Sequence, residues 1–333
     1  MNEANNSHQS DIIMIRVTES AIPIVGGLAL IVGSGLTIYI DRLERLRDET
    51  SPRPVLYRFF SQAILGMHQW PHWIFLMTCT IVGPCLFLTA AWQAALLEKQ
   101  CPVIENCRFI SWQLQLDGTA TAICIFLDAW IPLGRPIITH ISHTLVAFGF
   151  FLGATHYVYT TIQLARELEK YTDDGHGDDD EDSLSTIRTI LFRTMLSAGV
   201  VIAVTMTPAI DAHGKLLNHQ YRGTVESKME PNEIQRCQRL EAGLCTAEMI
   251  LGLGLGLGMF TAVPDVAKLL DRLNSDTYEE EQYDLPHIGW GCLMFGMMLF
   301  MGLVQYWVRD PIYKWCQAML LRFRIPAERH GCF

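Results

Sequence analysis

The chain has 333 residues, 50% of them hydrophobic and 18% charged, with a formal net charge of −10. Its charges gather between apolar runs of about 20 residues, the length that crosses a bilayer, and this excludes an ordinary soluble globular domain. The acidic balance, with no basic patch interleaved with aromatics, excludes nucleic acid as an expected partner.

The predicted fold class is all-α, a polytopic transmembrane helical bundle of about seven spans. In lipid each backbone polar group must be satisfied within its own helix. Residues 1–20 form a polar N-terminal segment without a basic n-region, so no cleavable signal peptide is expected and the first span inserts as its own signal. A six-helix transmembrane core is predicted over 21–263. Its first span covers 21–40 and its second 73–97. Cys79, Cys85, Cys124, Cys245 and Cys292, all inside apolar runs, read as small buried side chains. Cys101 and Cys107 lie in the loop "CPVIENC" and close a disulfide if that loop is extracellular; two free thiols are the alternative.

The third span (114–133) and the fourth (137–164) are joined by "PLGRP", a tight hairpin enforced by two prolines and a glycine. Four ionisable groups surround it: Asp128, His140, His143 and His156. Such groups are expensive inside a bilayer and often functional there. A haem is not expected. His143 and His156 are rotated by about 140° from one another at 100° per residue, so they point to nearly opposite faces. His156 therefore reads as a packed helix histidine. Asp128 with His140 and His143 makes a conceivable three-ligand metal set; an Asp–His hydrogen bond fixing the hairpin is preferred. No metal and no cofactor is expected.

An acidic loop over 171–186 contains "DDGHGDDDED", which lacks EF-hand spacing and reads as a solvated segment. The fifth span covers 187–210 and the sixth 241–263. The sixth carries Glu248, followed by Gly252, Gly254, Gly256 and Gly258, two overlapping small-residue pairs that permit close helix approach. Glu248 reads either as a partner of the Asp128 side of the bundle or as a partly hydrated interfacial group. A second acidic loop (264–287), a seventh span (288–308) and a basic amphipathic tail (309–333) complete the chain. The tail mixes Arg322 and Arg324 with Trp315, Leu320 and Phe323, as a segment lying on an anionic leaflet does.

Most of the 25 Lys and Arg residues fall in segments that face inward if the N-terminus is outside. A sequon at Asn5 agrees with that orientation. No HExxH motif or Ser–His–Asp order is present, so no enzyme is expected. A seven-helix receptor is the runner-up, although "RDPIYKW" departs from the Asn-Pro-x-x-Tyr ending of rhodopsin-like receptors. An intramembrane enzyme or transporter using Asp128, His140 and Glu248 is the third reading.

The order of features from the third to the sixth span resembles the DRAM/Frag/Sfk family of membrane proteins, most closely its fungal Sfk-type branch. "IFLDAWIPLGRPIITH" places Asp128, Arg135 and His140 where that family has an Asp ending helix 3, a short basic hairpin and a His opening helix 4. Phe148, Gly149 and Tyr157 follow the same pattern, and Ala247–Glu248 matches the family's Ala-Glu-Trp with Met249 in place of Trp. Ser61, Gly66 and Pro71 loosely keep the stretch before helix 2. The extra C-terminal span and the outside N-terminus depart from the family pattern. The resemblance implies a six-helix core and a non-enzymatic membrane regulator or scaffold, in phosphoinositide and lipid homeostasis or in autophagy. It implies a plasma or endolysosomal membrane location, and a cytoplasmic protein partner reached through basic loops or the tail. Membrane lipids are the expected ligands, and Asp128, Arg135, His140, His143 and Glu248 form the candidate polar cluster.

Overall fold

The computed structural model describes residues 2–47, 70–100, 105–131, 137–171, 179–222 and 230–275. The described residues form seven helices: α1 (Asn2–Arg47), α2 (Trp70–Gln100), α3 (Glu105–Trp130), α4 (Ile137–Tyr171), α5 (Asp179–Arg222), α6 (Pro231–Thr261) and α7 (Val263–Ser275). Five stretches are long and apolar enough to cross a membrane: Ser20–Leu43, Trp70–Lys99, Ser142–Glu169, Ser183–Ala209 and Pro231–Leu270. The more polar α3 packs between α2 and α4 as the sixth bundle helix. The expected seventh span (288–308) and the tail (309–333) lie outside the described residues, as do Cys101, Arg135, Ser61 and Gly66.

Each helix packs against its neighbour in sequence from α1 to α6, and α6 returns to α1, so the six close into a ring. Alternating chain direction puts the ends of α2, α4 and α6 at one end of the bundle, with the start of α1. We term this the closed end. The ends of α1, α3 and α5 lie at the opposite, open end. The core between them is apolar, with Leu86, Leu114, Tyr157, Leu251 and Leu255 fully buried. The outer faces of α4 and α5 expose Leu145, Leu152, Val200 and Val204, as lipid-facing helices do. Several hydroxyls inside the spans are bonded to the carbonyl four residues back; Thr37 donates to Gly33 O at 2.8 Å and Thr80 to Leu76 O at 2.7 Å.

Small residues set the helix approaches. A Cβ on Gly33 of α1 would collide with Thr78 of α2, and one on Gly27 would meet the Gly256 carbonyl of α6 at 2.7 Å. The glycines of α6 do not form one seam. Gly256 meets α1, Gly254 meets Met195 of α5, and Gly258 meets Val158 of α4, whereas nothing lies within 4 Å of a Cβ on Gly252. The expected close approach is met at Gly254, Gly256 and Gly258, but by a different helix at each, so α6 stands among α1, α4 and α5.

Several expected boundaries move. The helices outrun their apolar cores because charged side chains at helix ends cost little there, and acidic residues suit a helix start. Helix α1 takes in much of the polar segment 1–20, and α5 begins at Asp179, inside the expected acidic loop 171–186. The expected loop 264–287 is helical up to Ser275. Pro264 explains the break before α7, since it cannot donate to the carbonyl of Phe260. The α7 helix folds back on α2 and α1, burying Val266 and Leu269.

Candidate functional site

Two layers of polar side chains cross the bundle. Thr261 marks one and Glu248 the other, about 20 Å apart on α6 at 1.5 Å per residue.

The layer at the closed end centres on Arg188 of α5, which is fully buried. Its Nη2 donates to Asp265 Oδ2 of α7 at 2.6 Å and also to the Thr261 carbonyl at the end of α6. Nη1 donates to the Thr161 carbonyl of α4 at 3.1 Å, and Nε to Thr261 Oγ1 at 3.3 Å. On the far side of Asp265, Gln93 Nε2 of α2 donates to the same carboxylate oxygen at 2.7 Å. Tyr157 Oη of α4 donates to Gln93 Oε1, also at 2.7 Å. The network joins five helices, and every nitrogen of the guanidinium is engaged. Beside it, His156 Nδ1 of α4 lies 2.7 Å from Asp117 Oδ2 of α3, and Thr160 Oγ1 donates to that oxygen at 2.9 Å. The His156 side chain is 44% exposed. It is therefore a ring on the bundle surface paired to Asp117, which corrects its reading as a packed histidine.

The layer at the open end contains most of the described part of the expected polar cluster. Asp128, near the end of α3, is 8% exposed. His143, in the second turn of α4, is buried, and its Nδ1 lies 2.6 Å from the Ile131 carbonyl. A carbonyl only accepts, so this nitrogen carries the proton. Asp128 Oδ1 stands 3.5 Å from the same nitrogen, an ion-pair distance beyond a good hydrogen bond. Among the described residues Asp128 Oδ1 and His143 Nε2 have no hydrogen-bond partner. His143 thus makes a contact to the hairpin. His140 lies on α4 with its side chain outside the described residues, as the whole of Arg135 is.

Asp128 and Glu248 line one cavity of about 80 Å³. Its polar edge also includes Ser34 of α1, and its walls include Phe75, Ile125, Phe150 and Phe151. Of the lining residues, Gly35 of α1 and Leu253 of α6 are exposed. The mouth therefore lies between α1 and α6 at the level of the spans and faces the bilayer. The cause is geometric. Gly27 and Gly256 bring the two helices together nearer the closed end, and beyond that crossing they diverge. A Cβ on Gly35 or on Gly252 meets nothing within 4 Å.

Among the described residues no group of three His, Cys, Asp or Glu side chains could hold a metal ion. Cys107 is a buried free thiol. Cys79 and Cys245 are buried as expected, while Cys85 and Cys124 are half-buried. Sequence reasoning did not single out Gln93, Asp117, Arg188, Asp265 or Ser34. Asp117 carried the same signal as Asp128, an acid inside an apolar run. Arg188 and Asp265 sat at the margins of spans, where charges are ordinary. Of the residues that carry the family resemblance, Tyr157 is fully buried and Phe148 exposed, while a Cβ on Gly149 would stand 3.1 Å from the Cys124 sulfur. Neither a protein-family model, nor a curated protein, nor a solved structure matches the chain.

Proposed function

We propose that this chain is a non-enzymatic integral membrane regulator that takes a membrane lipid as its ligand, as its resemblance to the DRAM/Frag/Sfk family implies. The observation that carries the reading is the cavity itself. It opens sideways between α1 and α6, on the path of a bilayer amphiphile, and holds two carboxylates at the level of the spans. A carboxylate in such a place is expensive. A bundle that keeps it there, with an Asp128 oxygen that has no hydrogen-bond partner among the described residues, gains a site rather than stability. A lipid seated in this mouth would bias the divergence of α1 from α6, a movable element that a protein partner at the basic segments could read.

Arg42, Arg47, Arg222, Arg236 and Arg239 all lie toward the open end. The positive-inside tendency then turns that end to the cytoplasm. The cavity would accordingly serve the cytoplasmic leaflet of a plasma or endolysosomal membrane.

The test is lipid retention on purification. Gly252→Phe fills the mouth from a position with open space around it; Gly199→Phe does the same on the outer face of α5, where a Cβ also meets nothing within 4 Å. Lipids extracted from the full chain in mild detergent are expected to include one class held near one per protein, lost in Gly252→Phe and kept in Gly199→Phe. Identical lipid content in all three proteins would refute the reading.

A further inference from the structure

We infer that the outer face of α5 docks a membrane-spanning helix of another protein, one that carries an aspartate or glutamate near mid-depth to pair with Arg193. This goes beyond the lipid reading and does not depend on the cavity between α1 and α6.

Depth gives the first reason. Arg193 lies inside the apolar stretch Ser183–Ala209 of α5 and is exposed. The ring of its neighbour Phe192 stands 5.2 Å from that of Tyr159 on α4. Tyr159 is about 5 Å from the midpoint of the stretch Ser142–Glu169 at 1.5 Å per residue. Arg193 is therefore close to mid-depth. With a hydrocarbon core about 30 Å thick, about 10 Å separates it from the headgroups. An arginine side chain is shorter than that, so snorkelling leaves the guanidinium in hydrocarbon, where charge is expensive.

The missing counter-ion gives the second. Arg188 on the same helix is buried and paired with Asp265. Among the described residues no carboxylate pairs with Arg193. A second copy of this chain has none to offer. Asp117, Asp128 and Asp265 are buried within the bundle, and Asp117 is bonded to His156 and Thr160. Glu248 lines the cavity between α1 and α6. The expected seventh span, 288–308, contains no Asp or Glu. A phospholipid carries its phosphate at the interface, away from this depth. The counter-ion that fits is a carboxylate on a foreign span, which a guanidinium takes through two parallel hydrogen bonds.

Shape gives the third. Ile190, Arg193, Ser197, Val200, Val204 and Thr207 are all exposed and follow one another at alternating intervals of three and four residues. That spacing is the seam of one helix packed along another at a shallow angle. Beyond Arg193 the seam is small or β-branched, so a second backbone can come close. Ser197 Oγ donates to the Arg193 carbonyl at 2.8 Å. Its hydroxyl is thus satisfied within α5, and Arg193 sets the chemistry of the partner. The helix also has room for one: 17% of its apolar window is buried, against 28% or more in the other four stretches.

The experiment uses the full chain in phosphatidylcholine nanodiscs and synthetic leucine–alanine peptides of about 20 residues, long enough to span. One peptide has glutamate at its centre, one glutamine, and one leucine. Energy transfer between a dye on the peptide and a dye on the chain reads binding. The glutamate peptide is expected to bind about tenfold more tightly than either other, a difference of about 1.4 kcal/mol. Arg193→Leu should remove that preference, and Arg193→Lys should keep most of it. Val200→Trp should weaken binding of the glutamate peptide, whereas Leu152→Trp on the outer face of α4 should not. Both positions are exposed, so neither change disturbs the core. Equal binding of the three peptides would overturn the inference, as would a glutamate preference that survives Arg193→Leu. A chain that pairs with itself without peptide, through a contact that Val200→Trp abolishes, would give the face to a second copy and overturn it as well.

Discussion

The two polar layers of this bundle use similar side chains to opposite ends. At the closed end a buried arginine, a buried aspartate, a glutamine and a tyrosine satisfy one another across four helices. At the open end an aspartate and a histidine are just as buried, yet each keeps an atom without a hydrogen-bond partner among the described residues, and a cavity lies beside them. Inside a membrane the count of buried ionisable groups therefore does not find the site. The count of their unsatisfied atoms does, because a fully bonded network has no capacity left for a ligand.

Breaking the closed end should give the largest effect. Arg188→Met leaves Asp265 buried without its cation and should cost about 3–5 kcal/mol, read as a large drop in thermal midpoint in detergent. Adding Asp265→Leu should recover part of that loss, because removing both charges removes the orphan. If the double variant is no better than the single one, the pair is not the source of the stability. Next in size, Gly256→Val should cost about 1–3 kcal/mol by forcing α6 away from Ile31 and Gly27 of α1. Gly252→Ala, one helical turn away, should be neutral or slightly stabilising. Equal destabilisation at both would remove the divergence of α1 and α6 as the origin of the mouth. Tyr157→Phe deletes one hydrogen bond of the closed network and should cost about 1 kcal/mol. The smallest stability change belongs to the open end. Asp128→Asn should alter unfolding by less than about 0.5 kcal/mol, or stabilise the fold, while weakening lipid retention, as expected where a group is kept for binding at the expense of stability. A loss as large as that of Arg188→Met would make Asp128 structural.

The all-helical bundle was legible because long apolar runs have few other solutions in lipid. The boundaries were less so. An apolar window ends where charge begins, but a helix does not, and α5 continues well past Ala209 to Arg222. Asp128 and Glu248 were legible as acids within apolar runs, and the fold brings both to one cavity. What the sequence concealed depends on the relation between helices. His143 shares a helix face with His140 on a helical projection, and only the position of the Ile131 carbonyl shows what the His143 ring bonds. Arg188 resembles an interfacial anchor until α7 folds back and delivers Asp265 to it. A glycine run gives no sign of which residue meets a neighbouring helix and which faces empty space, yet Gly252 and Gly256 differ in that respect and together shape the mouth.

The central claim is that a bilayer amphiphile enters between α1 and α6. It is tested most directly by irradiating the full chain in nanodiscs that contain a lipid with a diazirine near its headgroup, then mapping the labelled peptides. Labelling concentrated on residues 30–35 of α1 and 248–253 of α6, and abolished by Gly252→Phe, is the expected result. Labelling spread over the exposed faces of α4 and α5, with no enrichment at the mouth, would contradict it.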